Sequence, residues 1–394
     1  MCEPTLKIKL SDSLIRDTGG FPCDASISKC AHHAYLVYEI GQTSTSQIIA
    51  EFFDIDDGLF VSRAVLHPDI IQSDNPFSTD DGHANHRFDR FSLVDDDQGG
   101  PAANSTGLIR VRIFDKNFNS QAIRFDIPFA VGIPQTTFSA IGGTFSPNDK
   151  FLQLTYLIDA TPNHLRTRLH ILNASDLSDV ATTDFDGGSY GAEFFDLIKN
   201  GKRKTYLAVS SQGGTFQFEF NNPAAAPPFK VLVYRLKNNT LKFITDTNLP
   251  ALISTASITS FVPEEGNIAF LGASTSQIAD SDPNGELQIL VFDGRQLRTC
   301  NTKKTGLTTS GPFFDPTGEF LVINEQLNDG QLGFFTVNKF NKSLKRLAGP
   351  ISSAPLSLFT FNQNSKWLLQ AGASFFPLPI PNTFKNINLY RVKF

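Results

Sequence analysis

The stretch SGPFFDPTGEFLVINEQLNDGQLGFFTVN (Ser310–Asn338) decides how this chain is read. It opens on a short apolar run, turns at Asp315-Pro316-Thr317-Gly318, and continues as the strand EFLVIN. A polar loop and a further strand, QLGFFTVN, follow. Proline at the second turn position and glycine at the fourth suit a tight type I turn between antiparallel strands. Two or three such strands cannot bury an apolar face unaided, so the unit needs neighbours like itself.

Those neighbours are in the chain. Phe145-x-Pro147-x3-Phe151-Leu152, Phe314-x-Pro316-x3-Phe320-Leu321 and Phe361-x-Gln363-x3-Trp367-Leu368 align without a gap, and Phe261-x-Pro263-x4-Ile268 is a looser copy. The copies recur at a period of roughly 50 residues with about four strands each, the signature of a β-propeller. Asn200-Gly201 between two apolar runs is the strongest short hairpin signal in the chain.

The chain therefore reads as all-β, a single seven-bladed propeller of four-stranded blades over 1–394. The blades fall near 24–66, 88–130, 137–187, 190–250, 257–303, 306–350 and 353–394. The last unit supplies three strands, and the alternating run Leu6–Leu10 has no unit of its own. Placing strand 6–10 in the last blade closes the ring and removes a sheet edge. Residues 67–108, polar and irregular, read as long loops. The rival organisation is a five-bladed ring over 137–394 behind a separate N-terminal β-sandwich.

Composition narrows the function classes. Lys+Arg 34 against Asp+Glu 39 gives a net charge of −5 with no basic run, which excludes a phosphate-tracking nucleic-acid surface. No apolar run reaches the length of a membrane-spanning helix. Thirty-seven Phe beside 1 Met and 1 Trp favour strands over helices. Those rings fill a core or line an aromatic cleft. Cys2, Cys23, Cys30 and Cys300 form no disulfide framework and no C-x-x-C, although Cys23 and Cys30 could close a short loop in an oxidising compartment. The N-terminus MCEPTLKIKLSD lacks a signal-peptide pattern, which fits a cytoplasmic protein or a secreted one whose leader has been removed. The expected particle is a monomer.

The run FFDPTGEFLVINEQLNDGQLGFFTVN resembles a blade of the lactonase-type seven-bladed propellers, the group of 6-phosphogluconolactonase and the muconate-lactonising propellers. SKWLLQAG and INLYRVKF are similar to that family's last blade, and LVYRLKNNTLKFI has its strand–turn–Leu ending. The likeness covers about 260 residues. It implies a site in the central channel, with the family's Asn-Glu pair falling on Asn324 and Glu325 and its Gly-Pro on Gly311-Pro312. Phe313-Phe314 stand where the family has Arg-His, which removes the cation and the acid–base group that lactone chemistry uses. An Arg or His from another blade (Arg110, Arg112, Arg235 or His170) would have to replace them.

Two clusters have the donor types of a divalent-metal site. Asp80, Asp81, His83 and His86, with Asp89 beyond, could hold Zn²⁺ or a similar ion, or form a solvated polar loop. Asp280, Asp282 and Asn284 begin like a calcium loop, but Val291 stands where the distal bidentate carboxylate belongs, and a Pro-Asn-Gly turn explains the same residues. No cofactor is firmly implied, and no nucleophile elbow, Walker loop or zincin motif is present. The expectation is a propeller that binds a protein or small-molecule ligand. The alternative is a lactone hydrolase acting at the central channel around Glu325.

Overall fold

The computed structural model describes residues 6–17, 22–28, 32–40, 45–72, 78–96, 107–130, 140–161, 164–189, 192–212, 229–249, 258–277, 284–305, 312–326, 333–340, 343–353, 356–373 and 384–393. These residues form seven four-stranded antiparallel sheets, each built from strands consecutive in sequence except one. The exception is the last blade, where Lys7–Asp17 pairs with Phe384–Lys393, from Lys7 opposite Lys393 to Asp17 opposite Phe384. The N-terminal strand thus closes the ring, and it is longer than the run Leu6–Leu10 that announced it. Among the described residues no helix is long and apolar enough to cross a membrane.

The first strands of the blades are Pro22–Ile27, Ser78–Ala84, Ala140–Phe145, Ala192–Lys199, Ile258–Phe261, Phe313–Phe314 and Leu356–Phe361. Each touches the first strand of the next in a series from blade 7 through blade 1 to blade 6, so they form the inner ring around the axis. Seven apolar clusters occupy the seven interfaces between blades. The phenylalanines supply much of this packing. Phe52, Phe88, Phe91 and Phe118 surround Tyr35 between blades 1 and 2, while Phe261, Phe270, Phe314 and Phe340 interlock between blades 5 and 6. Each ring buried this way contributes about 2–3 kcal/mol.

The Phe-x-Pro units become one recurring turn between the first and second strands. Its opening polar side chain accepts the backbone N–H five residues on: Ser146 from Phe151 (3.0 Å), Asp315 from Phe320 (2.7 Å) and Asn362 from Trp367 (2.9 Å). Asn85 does the same for Arg90 at 3.0 Å. Three residues after the opener the backbone is left-handed, at Phe88, Asp149, Gly318 and Ser365. That residue leans on the turn of the preceding blade. Asp149 accepts the His86 N–H at 2.9 Å, and Ser365 donates its hydroxyl to Asp315 at 2.8 Å. One face of the ring is therefore stitched turn to turn.

Blade 2 departs from the sequence reading. Its first strand is Ser78–Ala84, STDDGHA, inside the stretch read as loop, and its second is Arg90–Asp96. An inner strand borders the axis and needs no apolar alternation, so its polarity concealed it. In blade 1 the first strand, Pro22–Ile27, begins two residues before the 24–66 unit read from the sequence.

Candidate functional site

The polar groups that converge come from inner strands. In Ala192–Lys199, AEFFDLIK, Ala192 and Phe194 pack toward blade 3 while Phe195 and Leu197 pack toward blade 5. Glu193 lies among these apolar residues. Its Oε1 is 3.2 Å from the Ser260 hydroxyl on the first strand of blade 5. His83, on the first strand of blade 2, acts on it electrostatically. Blades 2, 4 and 5 approach one another only around the axis, which brings His83 within electrostatic range of Glu193 there.

Glu193 is enclosed by protein yet keeps part of its surface uncovered. Enclosure strips water from the carboxylate and pushes the pKa up to about 7, against smaller opposing effects of the Ser260 hydrogen bond and of His83. The group therefore exchanges its proton near neutrality. Between blades 2 and 4, the inner strand of blade 3 carries Gly142 and Gly143, both at positive φ. A Cβ on Gly143 would lie 2.9 Å from the Ser92 hydroxyl, whose oxygen donates to Gly143 O at 2.5 Å. The glycines let this strand pack closely, Gly142 against the backbone of Gln153 and Leu154 and Gly143 against Ser92 and Val94 of blade 2.

Nearer the stitched face, Asp196 on the same strand is also raised by burial, with Thr205, Arg203 and His86 acting against the shift. Arg203 Nε stands 3.6 Å from its carboxylate.

The residues singled out in the sequence are distributed differently. Glu325 and Asn324 lie on the second strand of blade 6, Phe320–Gln326, and not on the innermost one. Successive side chains on a strand point to opposite faces. Asn324 follows Phe320 and Val322 toward blade 7, is fully buried, and accepts the Ser353 hydroxyl at 3.0 Å. Glu325 follows Leu321 and Ile323 toward blade 5, where it acts on Lys303 of that blade's outer strand. Arg110 and Arg112 belong to blade 2, His170 to blade 3 and Arg235 to blade 4. The inter-blade cation opposite Glu325 is Lys303.

His83 and His86 part company in the same way. His83 is on the inner strand, whereas His86 is in the following turn with Nδ1 3.1 Å from Asp149 Oδ1. Asp80 and Asp81 lie on the inner strand of blade 2, their side chains outside the described residues. Asp280 and Asp282 fall outside the described residues, as do Cys2 and Cys30, and Asn284 opens the third strand of blade 5. Among the described residues no three His, Cys, Asp or Glu side chains are grouped to hold an ion.

Glu193 and Ser260 were not singled out in the sequence. The one local signal is a glutamate and an aspartate inside an otherwise apolar strand, AEFFDLIK, next to a hairpin turn.

No family profile matches the chain, and no curated protein matches it by sequence. Among solved structures it is similar to hydrazine synthase of Kuenenia stuttgartiensis, at 11% identity and a TM-score of 0.51 over 91% of this chain and 94% of that one. The β-propeller domain of the Trilobed protease from Pyrococcus furiosus gives 6% identity and a TM-score of 0.47, covering 90% of each chain. An oligogalacturonate lyase in complex with manganese gives 9% and 0.44, covering 95% of this chain and 97% of that one. What the chain shares with known structures is the β-propeller fold.

Proposed function

We propose that this protein is a ligand-binding propeller whose small-molecule site lies at the ring axis, around Glu193, Ser260 and His83. The observation that carries the reading is a carboxyl poised near neutral pH, hydrogen-bonded across a blade boundary and within electrostatic range of an imidazole from a third blade. Protonated, Glu193 donates to a ligand oxygen; ionised, it accepts from a hydroxyl or amine. The Ser260 hydroxyl serves either state.

A second reading, hydrolysis of a lactone or related sugar-acid ester, draws support from the same pKa. A carboxyl near 7 is matched to general acid–base work at physiological pH. In that case Glu193 would activate water at the axis, where the sequence resemblance implied a site around Glu325.

Thermal-shift screening against sugar acids and their lactones, on wild type, Glu193→Gln and Ser260→Ala, tests the site. A ligand that stabilises wild type and loses its effect in both variants supports it. Stabilisation that survives both substitutions places the ligand elsewhere and ends the axial reading. Lactone turnover abolished by Glu193→Gln selects the enzyme over the binder.

A further inference from the structure

A cleft of about 500 Å³ opens between the outer strands of blades 2 and 3, away from the axial residues. Three strands of blade 3 set a line of side chains into it. Tyr156 Oη lies 3.1 Å from His170 Nδ1, and His170 Nε2 lies 2.6 Å from Asp179 Oδ1. From the outer strand of blade 2, Arg124 donates Nη1 to the same Asp179 oxygen at 2.6 Å and to Leu177 O at 2.9 Å. Its Nε donates to Asp126 at 2.6 Å. Arg168 holds Asp184 through Nε (2.7 Å) and Nη2 (3.0 Å), with Arg166 3.6 Å from the same carboxylate.

The protons in this line are fixed by the surroundings. Burial lowers the pKa of His170, against the pull of Asp179, and burial raises that of Tyr156. Asp179 is held ionised, chiefly by the Arg124 hydrogen bond. The imidazole is then neutral, with Nε2–H donating to Asp179 and Nδ1 accepting the Tyr156 hydroxyl.

Both arginines that line the cleft are already paired, Arg124 with Asp179 and Asp126 and Arg168 with Asp184, around a neutral ring. An anionic ligand would have to compete with a carboxylate for its guanidinium. The groups left for a ligand are of another kind. Asp179 Oδ2 is only 3.5 Å from Arg124 Nη2 in an exposed carboxylate, and the Thr182 hydroxyl and the Asn239 amide stand exposed at the rim. Such a mixture of donors and acceptors matches hydroxyls, which do both. Pro128 and Val180, with Ile127 and Ala181 buried behind them, supply a small apolar surface for C–H faces.

We infer that this cleft binds a neutral saccharide of one or two residues. Its hydroxyls meet Asp179, Thr182 and Asn239, and its ring lies on the small apolar surface. The volume falls within the range of small-molecule sites. The inference does not depend on the axial site.

Titration calorimetry of the full chain with glucose, galactose, maltose, cellobiose and lactose tests it, with galacturonate and inorganic phosphate as charged controls. At least one neutral sugar is expected to bind. Asn239→Ala and Thr182→Val, both at exposed positions outside the ion pairs, should each weaken it about fivefold. Failure of every neutral sugar at tens-of-millimolar concentration would overturn the inference. So would full affinity in both rim variants, or tighter binding of phosphate or galacturonate.

Discussion

Gly318 of blade 6 lies directly against the ring of Phe261 of blade 5: a Cβ built on the glycine would overlap Phe261 Cζ, far inside van der Waals contact. Both residues belong to copies of the same Phe-x-Pro turn. The glycine's φ of +71° places its backbone in the left-handed region, and the ring it touches is hemmed in by Phe270, Phe314 and Phe340. The turn repeat thus joins blades as well as reversing the chain within each one.

Gly318→Ala is therefore expected to cost about 2 kcal/mol or more, from backbone strain and the displaced ring together. Gly201→Ala is the control, since Gly201 also has positive φ (+69°) but nothing within 4 Å of its Cβ position. It should cost about 1 kcal/mol. Urea denaturation of the two variants measures the difference, and equal losses would show that the Phe261 contact has no energetic weight.

Two enclosed groups, Glu193 and His170, act on stability in opposite senses. Glu193 rises from 4.5 to about 7 on folding, so the native state holds a proton the unfolded chain has lost. That contribution is present in full below 4.5 and is lost as pH rises through 7. His170 is depressed below 6.5, so its contribution is present above 6.5 and is lost as pH falls toward the folded value. Glu193→Gln removes the first effect alone. The variant should gain on wild type by about 2 kcal/mol between acidic and mildly alkaline buffer, after discounting for the uncovered part of the side chain. Urea denaturation of both proteins at the two pH values reads it, and a gap that does not change with pH would contradict the burial of Glu193.

Much of the architecture was legible because it rests on local chemistry. Asn200-Gly201 forms the hairpin its residues demand, both at positive φ, and the alternating run Leu6–Leu10 leads into the closing strand, with Leu6 buried and Leu10 half exposed. The inner strand STDDGHA was not legible, since it borders the axis and lacks the apolar alternation of a strand with one face in a core. The groups of the proposed axial site were hidden for another reason. Glu193, Ser260 and His83 lie far apart in sequence and meet only when the ring closes, whereas Asn324-Glu325, adjacent in sequence, are sent to opposite faces of one blade. Adjacency in a strand separates side chains, and closure of a ring gathers them.

The most direct test is a pH titration of the glutamate side-chain carboxyl resonances in ¹³C-labelled protein, with Glu193 assigned by the signal lost in Glu193→Gln. The axial site requires a midpoint near 7 for that signal. A midpoint near the ordinary value of 4.5 would show Glu193 to be a solvated carboxylate and remove the basis for an axial ligand site.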